Sequence, residues 1–155
     1  MAKKMAIIAT KGTLDMAYPP FILGSTAAAL GYDVQIFFTF YGLQLLKKDL
    51  SDVKISPLAN PAMPMPVPMP VMVQMLPGME SMATMMMKQK LAKHGVASLE
   101  ELRDLCLEAD VKFVACQMTV DLFEMDKSEF IDNVEYGGAA TFMNFAGDTD
   151  ICLFV

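Results

Sequence analysis

The chain has 155 residues, of which 54% are hydrophobic and 19% charged, against a usual charged share of about 25%. This composition excludes intrinsic disorder, which needs few apolar residues and many charges, and the length suits one domain able to bury its own core. The net charge of −6 and the pI near 4.6 argue against a nucleic-acid binder, because phosphate contacts need a basic face.

Along the chain, Met5 to Thr10 is a short apolar run ended by Lys11-Gly12-Thr13, the pattern of a buried strand entering a loop. Asp15 is placed to cap a helix with Pro20 in its first turn, running through Phe21, Leu23, Ala27 and Leu30 to a left-handed cap at Gly31. Val34 to Phe38 is apolar throughout, as in a parallel sheet covered on both faces. Tyr41 to Lys48 reads as a short helix, and Val53-Lys54-Ile55 as a third strand.

The composition then shifts. Between Ile55 and Met79 lie seven prolines, alternating with methionine and valine, and ten of the sixteen methionines fall between Met63 and Met87. Proline removes backbone donors and breaks helices, so residues 57–78 read as an extended, polyproline-like insertion within a single domain spanning 1–155. Gly78 opens a helix through Met82, Met85, Met86 and Lys90, closed by Gly95. Ser98-Leu99-Glu100-Glu101 is a capping box, followed by Leu99, Leu102, Leu105 and Cys106 on one helical face. Val111 to Ala115 is a strand, with Cys116 to Thr119 as its exit and Val120 to Met125 as a short helix. Gly137-Gly138 lead into a helix ending near Ala146, and Ile151 to Val155 is a terminal strand. Five strands alternating with helices imply an α/β fold with a mostly parallel sheet.

In an open parallel sheet, ligands collect at the carboxyl ends of the strands. Three loops exit there: Lys11 to Asp15, Thr39 to Gly42, and Cys116 to Thr119. Cys116 is the one strong nucleophile among them, between a strand end and a helix start, where backbone N–H groups favour a thiolate. The plainer alternative is a small, inert, buried residue. Cys106 and Cys152 read as core residues, and no CxxC supports a redox pair or a structural zinc site. His94, the only histidine, precedes Gly95 and reads as a helix-end cap. There is no GxGxxG or GxxxxGK[ST] phosphate loop, so no nucleotide cofactor is expected. Met63, Met65 and Met69 have soft sulfurs that suit Cu(I), but the intervening prolines and valines favour a contact surface instead. No resident metal is expected. Neither uncharged stretch reads as a membrane span, and with reduced thiols the chain reads as cytoplasmic, with peripheral membrane contact left open.

The Lys11-Gly12-Thr13-Leu14-Asp15 loop and Phe38-Thr39-Phe40-Tyr41-Gly42-Leu43 resemble the DsrE/DsrF-like family of sulfur-transfer proteins. Asn60-Pro61, Leu76-Pro77-Gly78-Met79, the motif Ala115-Cys116-Gln117-Met118-Thr119-Val120-Asp121-Leu122-Phe123, Glu135 to Phe142 and Ile151 to Val155 extend the likeness over nearly the whole chain. The resemblance implies a three-layer α/β/α fold. It also implies a sulfurtransferase or sulfur carrier that holds sulfur on Cys116 as a persulfide or thiosulfonate-type adduct and passes it between donor and acceptor proteins. Homo-oligomers, with a trimer or hexamer favoured, are implied too and fit the apolar excess. Thr119, Asp121 and Lys11 lie near the implied site without an assigned role. The alternatives from other classes are an assembly or membrane-docking module built on the Met/Pro segment, and a Cu(I)-handling protein.

Overall fold

The computed structural model describes residues 2–55, 72 and 76–155. The expected insertion at 57–78 and its Met63, Met65 and Met69 lie outside the described residues, except for 72 and 76–78. Strand β1 (Lys4–Ala9) leads to helix α1 (Leu14–Ala29), then to β2 (Asp33–Phe38) and a 3-10 helix (Phe40–Leu46). Helices α2 (Met79–Lys93) and α3 (Leu99–Glu108) precede β3 (Lys112–Cys116) and the six-residue α4 (Gln117–Leu122). Strand β4 (Val134–Gly137), helix α5 (Ala139–Ala146) and strand β5 (Ile151–Phe154) complete the chain. The five strands lie in the order β4-β3-β2-β1-β5, and every pairing is parallel, as the alternation of strands and helices predicts.

Side chains alternate across the sheet because successive residues of a strand point to opposite faces. Met5, Ile7, Val34, Ile36, Phe38 and Phe113 form a large core with Leu14, Ala17 and Phe21 of α1 and Leu99, Leu102 and Cys106 of α3. Three phenylalanines knit it together, with ring centroids 6.0 Å (Phe21–Phe38), 5.8 Å (Phe21–Phe113) and 5.3 Å (Phe38–Phe113) apart. The opposite face buries Ala6, Phe37, Val114 and Cys116 against Phe142 of α5. Helices on both faces make the expected three layers. Among the described residues, no helix is long and apolar enough to cross a membrane.

Several expectations are corrected. Val53-Lys54-Ile55 is not a strand. The segment is tied down singly: the Lys54 carbonyl accepts from Leu14 N–H (2.7 Å), and the Ile55 N–H donates to Thr84 Oγ1 (2.9 Å). The remaining strand is Val134–Gly137, at the sheet edge. Helix α1 begins at Leu14 after Thr13, so Asp15 sits in its first turn and Pro19 and Pro20 lie inside it. Burial of Leu14, Ala17, Pro20 and Phe21 offsets the two backbone donors that the prolines lack. The capping box forms as expected, Ser98 Oγ accepting from Glu101 N–H (3.2 Å) and Glu101 Oε2 from Ser98 N–H (3.1 Å). Leu105, however, is 48% exposed, and Arg103 is buried in its stead, its Nη1 donating to the carbonyls of Leu45 (3.0 Å) and Lys47 (2.6 Å). The helix expected at Val120 begins at Gln117, which brings its first turn directly against Cys116.

Candidate functional site

Cys116 is the last residue of β3, on the smaller-core face, and is 5% exposed. The register pairs it with Gly137 of β4, where an added Cβ would lie 2.9 Å from the Thr141 side chain, so the start of α5 can pack this closely only over a glycine. On the other side, Phe38 pairs with Ala115, so the chain continues into Thr39 beside Cys116. Gly42 permits the next close approach, since a Cβ there would run into the Ala9 carbonyl oxygen.

Two hydroxyls meet at this corner. Thr119 Oγ1 accepts from the Phe40 N–H at 3.3 Å and lies 3.2 Å from Thr39 Oγ1. Burial of Cys116 opposes ionisation and is the largest single influence on it. The Thr119 hydroxyl and amide, the Thr39 hydroxyl and the Met118 amide together outweigh burial and hold the thiol below its ordinary value. An apolar cluster adjoins this corner at Phe40: Phe123 stacks on Tyr41 (6.0 Å) and meets Phe40 edge-on (6.2 Å), while Met118 and Leu122 are exposed on α4.

Lys11 does not join this group. It lines a shallow cavity of about 360 Å³ with Gly12, Thr13, Met16, Tyr41 and Gln44, of which Tyr41 also belongs to the apolar cluster. Asp121 is turned to solvent and accepts from Gln117 Nε2 at 2.8 Å. His94 caps α2, its N–H donating to the carbonyls of Lys90 and Leu91. Cys106 is core, as expected: its Sγ–H donates to the Phe21 carbonyl (3.3 Å), and burial pushes its thiol up to about 12. Cys152 corrects its expectation, because β5 is an edge strand and leaves it exposed. The register places Cys152 beside Ala6, on the same face as Cys116 but three strands away. At about 4.8 Å per strand that is roughly 14 Å, too far for a disulfide within one chain. A larger cavity of about 500 Å³, lined by Tyr18, Lys88, Leu91 and Val96 among others, contains no cysteine.

Three comparisons set this geometry beside known proteins. Residues 1–154 match the model of the DsrE/DsrF/DrsH-like family. The chain is 67% identical to the sulfur carrier protein DsrE2 of Allochromatium vinosum, over 99% of this chain and 98% of that one. It is 31% identical to the uncharacterized protein YrkE of Bacillus subtilis, over 99% and 97% of the two chains. The crystal structure of the ychN protein from E. coli has the same fold, with a TM-score of 0.56 at 11% identity over 99% of both chains.

Proposed function

Because this chain belongs to the DsrE/DsrF/DrsH-like family, we propose that it is a cysteine-based sulfur carrier that works through Cys116. The observation that carries this reading is the 67% identity, over 99% of the chain, to a protein named as a sulfur carrier. Cys116 is the reading's thiol for a physical reason. It sits at a strand's carboxyl end among groups that favour its ionised form, whereas burial keeps Cys106 protonated.

Loading needs no net oxidation. The Cys116 thiolate attacks the outer sulfur of a donor persulfide, that sulfur's bond to the donor breaks, and the donor leaves as a thiolate. With tetrathionate the thiolate attacks an inner sulfur, the central S–S bond breaks, thiosulfate leaves, and Cys116 holds a thiosulfonate-type adduct. Donor and acceptor proteins follow from the role, and the exposed Phe40, Tyr41, Met118 and Phe123 supply an apolar contact beside the site for them. The reading carries with it a reducing, cytoplasmic setting, in which thiols stay free.

Mass spectrometry after incubation with polysulfide, thiosulfate or tetrathionate tests it. A sulfur adduct is expected on the Cys116 peptide and is expected to vanish in Cys116→Ser. With Cys152→Ser in the background to remove the exposed thiol, an adduct that persists in Cys116→Ser overturns the assignment.

A further inference from the structure

We propose that Thr39 and Thr119 are positioning residues that hold the Cys116 sulfur as a thiolate, through a hydroxyl pair anchored on the Phe40 backbone amide. The proposal rests on Cys116 being the carrier thiol.

Thr119 is 0% exposed. A hydroxyl withdrawn from water must find partners inside the protein. It accepts from the Phe40 N–H at 3.3 Å and shares a hydrogen bond with Thr39 Oγ1 at 3.2 Å. Two hydroxyls carry two hydrogens, and the bond between them uses one, so one hydrogen remains to donate to a third group. Cys116 is that group. It lies at the start of the helical turn that carries Thr119, and the strand register sets Thr39 beside it. A neutral thiol is a weak acceptor and a thiolate a strong one, so the spare hydrogen favours the charged sulfur.

The anchor is itself strained. Phe40 has φ 51°, left-handed backbone that a bulky side chain rarely adopts. Such conformations persist where the surrounding structure enforces them, and they gather at working sites. Here the strained residue supplies the N–H that fixes the Thr119 oxygen.

The pair acts in both directions of transfer. On loading, it raises the fraction of Cys116 able to attack. On unloading, an acceptor thiolate bonds to the outer sulfur of the Cys116 persulfide and the bond from that sulfur to Sγ breaks. The electron pair returns to Sγ, and the same hydrogen bond meets the charge that forms there.

The test follows iodoacetamide alkylation of the Cys116 peptide against pH, with Cys152→Ser throughout so that the exposed thiol does not compete. In Thr119→Val the midpoint is expected to rise by about one pH unit, and the rate near neutral pH to fall about tenfold. Thr119→Ser restores the hydroxyl and is expected to keep the parent midpoint, and Thr39→Val is expected to shift it upward by less. Unchanged midpoints in Thr119→Val and Thr39→Val overturn the proposal. If circular dichroism shows Thr119→Val unfolded, Thr39→Val decides, at a position only half-buried. The alkylation profile is independent of sulfur loading. Shifted midpoints in a protein that takes no sulfur from tetrathionate therefore support the hydroxyl pair and sink the carrier reading alone.

Discussion

Cys106 sits beneath α1 with its thiol pushed up to about 12 by burial, and Cys116 lies below its ordinary value at the far end of β3. The two therefore influence stability with opposite signs. A folded-state value raised above the unfolded one, about 8.5, stabilises fully below about pH 8.5 and is lost as pH climbs towards the folded value. Cys106 thus costs roughly 1.4 kcal/mol of stability for each pH unit above about 8.5. Cys116 contributes stability that is present above about pH 8.5 and lost as pH falls through its lowered folded value. Urea unfolding across the alkaline range checks the first effect: Cys106→Ala, which cannot titrate, is expected to lose stability with pH less steeply than the unsubstituted chain. Equal slopes would show that the buried thiol is not what titrates. Of these residues, Cys116 and Cys106 were legible in the sequence because each has a local pattern, a strand exit and a helical face. Thr39 was not singled out, because it lies 80 residues from Thr119 and only the β2–β3 register brings the two together. Cys152 misled for a related reason: Ile151 and Leu153 flank it like a core strand, but whether a strand lies at an edge is decided by the rest of the sheet.

Elements were legible in proportion to how much of their stabilisation is local. The capping box fixed the start of α3, and Gly78 and Gly95, with φ 87° and 72°, bracket α2 as the sequence suggests. Strand β4 left no apolar run to read, because its four residues alternate Val134, Glu135, Tyr136 and Gly137 at a sheet edge. Val53-Lys54-Ile55 had the apolar composition of a strand, but Lys54 and Ile55 bond to Leu14 and Thr84, outside the sheet. The two glycines at the carboxyl end of β4 offer a test at this scale. Gly137→Ala forces a Cβ to 2.9 Å from Thr141 and is expected to destabilise by about 1–3 kcal/mol, the usual cost of overpacking. Gly138→Ala meets nothing within 4 Å and is expected to cost much less. Similar costs in urea unfolding would mean that the approach of α5 to β4 is loose.

At the scale of the whole molecule, the two faces of the sheet are covered unequally. The larger core lies under α1 and α3, while the opposite face is met by the eight-residue α5. Beside α5, the edge strand β5 leaves Phe154 71% exposed, with Ile151 and Met143 also open. Gln35, buried on that same face, has an amide nitrogen with no partner among the described residues. An exposed apolar edge is poorly suited to water, and self-association covers such an edge. We therefore expect a homo-oligomer, with the trimer or hexamer suggested by the family resemblance, and with β5 in the contact. Each Phe154 withdrawn from water contributes about 2 kcal/mol, so Phe154→Lys, which replaces that gain with a charge, is expected to shift light scattering towards the monomer. Because Phe154 lies three strands from the strand that ends in Cys116, roughly 14 Å at about 4.8 Å per strand, the variant is expected to take a sulfur adduct as before. A unsubstituted chain that is monomeric at micromolar concentration would remove the oligomer, and an assembly untouched by Phe154→Lys would move the contact to another surface.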